Sequence, residues 1–145
     1  MAKVGIIICD RYRLCSGAKC FRSARERVGG FSRYEGEELE IVAFGTCGGC
    51  PGANIEDLPE AMKKAGAEAI HLATGFVVGY PPCPYLEDFI KLIEEKSGLP
   101  VVVGTHPVPE KYYRIHQKFN YWEKFGWEEM MKPLLPEKEI RESYD

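Results

Sequence analysis

Four short apolar runs, at residues 4–8, 39–44, 68–72 and 100–103, constrain this chain more than any other feature, because the segments between them carry helical spacing and end on glycine. The first, Val4-Gly5-Ile6-Ile7-Ile8, is dominated by β-branched residues, the pattern of a strand covered on both faces. A helix is expected over about Ala18 to Val28, stopped by Gly29-Gly30. A second starts at Asp57, with Pro59 in its first turn, and ends at Gly66. A third carries Leu86, Phe89, Ile90 and Ile93 on one face and stops at Gly98. Residues 31–38 and 74–84 read as loops. Strands that alternate with helices across short connections require right-handed crossovers and a parallel sheet. The expected fold is therefore α/β, a single three-layer domain with a four-stranded parallel sheet. Its order is taken as flavodoxin-like 2-1-3-4, by analogy with doubly wound sheets.

Beyond Pro107 the composition turns aromatic. Tyr112, Ile115, Phe119 and Trp122 fall at helical spacing, so a helix is expected over about Glu110 to Lys124 and a shorter one over Trp127 to Lys132. This face serves a core or a homodimer, or else a stacking platform for an aromatic ligand. Residues 137–145 read as a charged, partly mobile tail. The chain thus divides into a cysteine-rich α/β part, 1–106, and a helical extension, 107–145, packed on the same domain.

With 145 residues, 45% of them hydrophobic, the chain can bury a real core. A net charge of −3 gives no long-range attraction to nucleic acid or an anionic membrane, and no apolar run has the length of a signal peptide or a membrane span. The expected location is the cytoplasm, where six cysteines point to metal ligation or redox chemistry rather than to structural disulfides.

Where those cysteines fall is informative. In a parallel sheet every strand's C-terminal end opens on one edge, where α/β proteins place their ligands. Cys9 follows the first strand, and the turn Thr46-Cys47-Gly48-Gly49-Cys50-Pro51-Gly52 follows the second. Thr74 follows the third with Cys83 further along its loop, and Thr105-His106 follows the fourth. Cys15 and Cys20 lie close enough in sequence to Cys9 to reach the same edge. Cys9, Cys47, Cys50 and Cys83 are expected to share one ion or cluster, with Cys15, Cys20 and His106 in or beside that shell. Soft thiolates select zinc, copper(I) or an iron–sulfur cluster. His71, between Ile70 and Leu72, is either a ligand or a buried, hydrogen-bonded histidine. Arg11 or Arg13 can lower the pKa of a nearby thiol or hold a small anionic ligand, together with the N–H groups of Gly48 and Gly49 and with Thr74 at the edge. A second reading needs no metal: Cys47 attacks a disulfide of a redox partner and Cys50 resolves it.

The ordered series Cys9, Cys15 and Cys20 before Phe21, the Cys47–Gly52 turn, Gly66-Ala67-Glu68-Ala69-Ile70-His71-Leu72, Cys83-Pro84 and Gly104-Thr105-His106 resembles the CGGC-domain family of small bacterial and archaeal proteins. The resemblance spans about residues 3 to 106. It implies a metal-binding domain, with zinc suggested, and the candidate ligands Cys9, Cys15, Cys20, Cys47, Cys50, Cys83, His71 and His106; it supplies no reaction. Two positions depart from the family's usual pattern: Gly75 follows Thr74 where many members carry a cysteine, and Cys83-Pro84-Tyr85 stands where Cys-Pro-His is common. Six thiols remain, more than one four-coordinate ion requires.

Overall fold

The computed structural model describes all 145 residues. Strands β1 (Ala2–Ile8), β2 (Leu39–Thr46), β3 (Ala69–Leu72) and β4 (Val101–Val103) form one parallel sheet in the order β2-β1-β3-β4. Helix α1 (Ala18–Glu26) connects β1 to β2, α2 (Leu58–Lys64) connects β2 to β3, and α3 (Gly75–Val78) with α4 (Leu86–Ser97) connects β3 to β4. The expected class and strand order are both present.

Side-chain alternation along β1 divides the interior. Val4, Ile6 and Ile8 face a smaller cluster with Cys20, Ala24, Phe31 and Ala73, whereas Ile7 belongs to the larger cluster with Met62, Ile70, Leu72, Phe76 and Ile93. Gly5 makes the second layer possible, because a Cβ there would lie 2.5 Å from Met62 Sδ, so α2 rests directly on the β1 backbone. The register slips between Val4 and Gly5 against β2 and then continues to Ile8 opposite Thr46, which sets Cys9 beside Cys47.

Four local expectations are corrected. Part of the segment read as a loop, Gly29–Tyr34, is a 3-10 helix that buries Phe31 against His71 with ring centroids 4.5 Å apart. The segment 74–84, also read as a loop, contains the short helix α3 over Gly75–Val78. The long aromatic helix is broken into α5 (Glu110–His116), a 3-10 turn at Gln117–Phe119 and α6 (Tyr121–Lys124), because Asn120 takes a left-handed conformation with φ 54°. α7 (Glu128–Met131) follows.

The fourth correction concerns the tail, which forms α8 (Lys138–Glu142) and is docked. Tyr144 is 1% exposed, its hydroxyl donates to Glu26 at 2.7 Å, and the Arg22 guanidinium sits 4.0 Å from its ring centre while donating to the Ser143 carbonyl. The Lys111 N–H donates to Asp145 Oδ1, tying the last residue to α5. Charge alone reads as a solvated tail, but one buried aromatic and a bonded arginine anchor it. Truncation by Tyr144→Ala is expected to cost about 3 kcal/mol in chemical denaturation, whereas Tyr144→Phe, which loses only the bond to Glu26, should cost about 1 kcal/mol.

Candidate functional site

The chain leaves β1 at Cys9 and turns at once into a 3-10 turn, Asp10–Tyr12, whose Asp10 bonds the β2 turn. The Cys47 N–H donates to the Ile8 carbonyl at 3.0 Å, extending the β1–β2 ladder by one bond beyond the strands. The turn is then held by side chains. Thr46 Oγ1 donates to Asp10 Oδ1 at 2.9 Å and accepts from the Gly48 N–H at 3.1 Å, and Asn54 Nδ2 donates to the Thr46 carbonyl at 2.9 Å. Gly48, Gly49 and Gly52 all have positive φ, which lets the chain double back around Cys47.

Cys9 and Cys47 lie at the adjacent ends of β1 and β2, where the N–H of Asp10, the residue after Cys9, donates to Cys47 Sγ at 3.4 Å. The two sulfurs are held differently. Arg11 Nε donates to Cys9 Sγ at 3.4 Å, whereas Cys47 Sγ accepts from the backbone of Asp10. Glycine at 79 leaves room for the Arg11 guanidinium, with which a Cβ would collide, and glycine at 75 leaves room for Tyr12. The neighbouring Cys47 thiol, followed by the contact and charge of Arg11, lowers the Cys9 pKa to about 5 against the cost of burial. The neighbouring Cys9 and burial push Cys47 upward. The surroundings thus favour the thiolate at Cys9 and the thiol at Cys47.

Cys83 joins these two in the larger apolar cluster at 6% exposure. Its pKa is raised by burial, with the neighbouring Cys9 and Cys50 adding to the shift. Cys50 is exposed at the far side of the turn. Cys20 belongs to the opposite cluster, where its sulfur lies 3.2 Å from Thr105 Oγ1 and burial raises its pKa; Cys15 is exposed and accepts from the Gly17 N–H at 3.4 Å. The thiols thus fall as Cys9, Cys47 and Cys83 in the larger cluster, Cys20 in the smaller one, and the exposed Cys15 and Cys50. No three Cys, His, Asp or Glu side chains converge to hold a metal ion. Two sulfurs by themselves are fewer than a tetrahedral zinc site or a cluster requires, both of which need further ligands.

Other candidates are occupied elsewhere. His71 stands apart from the thiols: Nδ1 bonds the Gly104 carbonyl and Nε2 bonds the Tyr34 hydroxyl, both at 2.9 Å, so the ring is fully satisfied as a neutral tautomer. Burial, the leading cause, lowers its pKa to about 4. Thr74 does not offer a free hydroxyl. It donates to the His106 carbonyl at 2.6 Å and accepts from the Thr105 N–H at 3.0 Å, stitching the β3 and β4 ends together. Arg13 is exposed and reaches Asp10 rather than a thiol. The Gly48 N–H is spent on Thr46 Oγ1.

His106 is different. Its Nδ1 bonds the Pro107 carbonyl at 2.7 Å, which requires the proton there and leaves Nε2 with a lone pair, and its ring stacks on Tyr144 at 6.3 Å. It lines a cavity of about 380 Å³ shared with Cys9, Cys15, Cys20, Tyr12 and Tyr112. Tyr12 and Tyr112 carry no signal in the sequence beyond being aromatic; Tyr12 lies in the turn after Cys9, and only the fold brings Tyr112 to the same cavity.

The class of protein that this geometry defines is an α/β protein with a thiol site at the C-terminal edge of a parallel sheet. The chain belongs to the CGGC-domain family, which it matches over residues 3–106. Two uncharacterized proteins of Methanocaldococcus jannaschii are similar to it. One is 39% identical over 118 residues, covering 75% of this chain and 90% of its own; the other is 40% identical over 62 residues, covering 42% and 92%. No solved structure matches. No helix is long and apolar enough to cross a membrane.

The pH profile of Cys9 alkylation by iodoacetamide, followed by peptide mass spectrometry, should rise with a midpoint near pH 5, since the thiolate forms as pH passes the lowered pKa. Arg11→Met should raise that midpoint by about one unit and slow alkylation at pH 5 about fivefold.

Proposed function

We propose that the protein carries out thiol–disulfide exchange through the dithiol Cys9–Cys47, with Cys9 as the attacking thiolate and Cys47 as the resolving thiol. The observation that carries this reading is the placement of Cys9 and Cys47 at adjacent strand ends, with Arg11 Nε on Cys9 Sγ at 3.4 Å and the Asp10 N–H on Cys47 Sγ. An attacking thiol needs ionisation near neutral pH and a second thiol nearby; the Arg11 guanidinium supports the first and the strand register the second. The division of labour differs from a Cys47–Cys50 exchange, because Cys47 is buried and holds its proton while Cys50 is exposed and makes no comparable contact. Oxidation of the reduced protein with one equivalent of oxidised glutathione, followed by non-reducing peptide mapping, should give a Cys9–Cys47 crosslink. Cys9→Ser and Cys47→Ser should each abolish the crosslink, and Cys50→Ser should leave it. A dominant Cys47–Cys50 link would overturn the assignment.

A second reading, soft-metal binding, is favoured by the burial of Cys83 in the same cluster as the pair and by the family to which the chain belongs. Zinc or an iron–sulfur cluster would be held by Cys9, Cys47, Cys83 and Cys50, which requires the last two to close on the pair. Anaerobically purified protein would then carry stoichiometric zinc, or iron with acid-labile sulfide. Cys83→Ser would lower the metal content while leaving the Cys9–Cys47 crosslink of the apo protein intact.

A further inference from the structure

The 380 Å³ cavity opens on Cys9 and lies at the boundary between the two core clusters, with Ile8 and Ala73 from one and Cys9 and Val78 from the other in its wall. Its volume is at the lower end of small-molecule sites, so it admits a compact organic molecule rather than a protein loop with flanking structure. Tyr12, Phe44 and Tyr112 supply aromatic surface. Phe44, 38% exposed, packs on Phe21 at 5.7 Å at the outer side, so an apolar surface continues to solvent. No aspartate or glutamate lines this cavity; its one permanent charge is Lys19, near enough to His106 to oppose protonation of that ring.

We infer that this cavity is the substrate site of the Cys9–Cys47 pair, and that its substrates are small organic disulfides combining an aromatic or apolar body with an anionic group. The inference rests on the dithiol reading above and adds to it the identity of the oxidant. The body lies against Tyr12, Phe44 and Tyr112, the anion faces Lys19, and one substrate sulfur reaches Cys9. The Cys9 thiolate attacks that sulfur, the substrate S–S bond breaks, and the first half leaves as a thiolate while the second stays bonded to Cys9. The Cys47 sulfur then attacks Cys9 Sγ, expelling the second half, which departs with the proton given up by Cys47. One disulfide is reduced to two thiol equivalents, and two cysteines are oxidised to the Cys9–Cys47 disulfide.

Two aromatic disulfides test this on the reduced full-length chain: dithiobis(nitrobenzoate), which carries carboxylates, and dithiodipyridine, which is neutral. Rates are assigned to Cys9 by peptide mass spectrometry, with iodoacetamide as a small reagent of a different class. Lys19→Glu should slow the anionic disulfide about tenfold, as expected for reversing one partly screened charge, while the neutral one changes by less than about twofold. Ala18→Phe, which fills the cavity, should slow both disulfides about tenfold more than it slows iodoacetamide. If Cys9 is alkylated readily but Lys19→Glu alters both disulfides equally or neither, the substrate assignment is overturned and the dithiol reading stands. If Cys9 reacts no faster than the other buried cysteines and no Cys9–Cys47 link forms, the dithiol reading itself fails. Circular dichroism checks each variant; should Ala18→Phe not fold, Lys19→Glu alone decides.

Discussion

The pairing of β1 between β2 and β3 is the constraint on which the rest depends. Parallel strands rise together, so their C-terminal ends lie at one level, and each chain segment leaving that level must turn within a few residues. β1 and β2 run in register to Ile8 and Thr46, and the bond from the Cys47 N–H to the Ile8 carbonyl carries the register one step further. Cys9 and Cys47 are brought together by backbone pairing, before any side-chain interaction is counted. Their contact is therefore as rigid as the central ladder of the sheet, and a mobile loop would hold two sulfurs less closely.

On that frame the polarity of the pair is set by what surrounds each sulfur. A full positive charge on a side chain stands at Cys9, whereas Cys47 receives the backbone N–H of Asp10. The asymmetry depends on close packing: Arg11 reaches its place because residue 79 has no side chain, and Tyr12 because residue 75 has none. The departure from the family's usual cysteine at position 75 acquires a physical meaning here, since any side chain there would meet the Tyr12 ring that walls the cavity.

The C-terminal segment supports this edge from outside. Leu134 packs against Gly104, the Val108 N–H bonds the Leu134 carbonyl, and Tyr144 stacks on His106. Buried Glu110, paired with Arg141 at 3.1 Å, links α5 to α8. The loop after β4 is thereby held from two directions: Thr74 fastens it to the β3 end, and the tail covers it.

Much of the fold was legible in residue order. The β-branched run at Val4–Ile8, the glycine stops at Gly29, Gly66 and Gly98, and the alternation of apolar runs determine a parallel α/β sheet, since those local patterns have few other ways to bury their faces. The same order placed the cysteines after strand ends, and hence at one edge. Local patterns did not reveal the break at Asn120, where a left-handed residue interrupts sound helical spacing, or the docking of the tail, which hinges on Arg22 and Glu26 more than a hundred residues away. Nor could sequence spacing say which thiols touch. Cys47 and Cys50 are three apart, yet one is buried and the other exposed, while Cys9 and Cys47, with α1 and β2 between them in the chain, meet at adjacent strand ends. Sequence determined which chemistry was available; tertiary structure decided which atoms meet, because side-chain contact depends on ångström-scale separations that strand register sets and residue spacing does not.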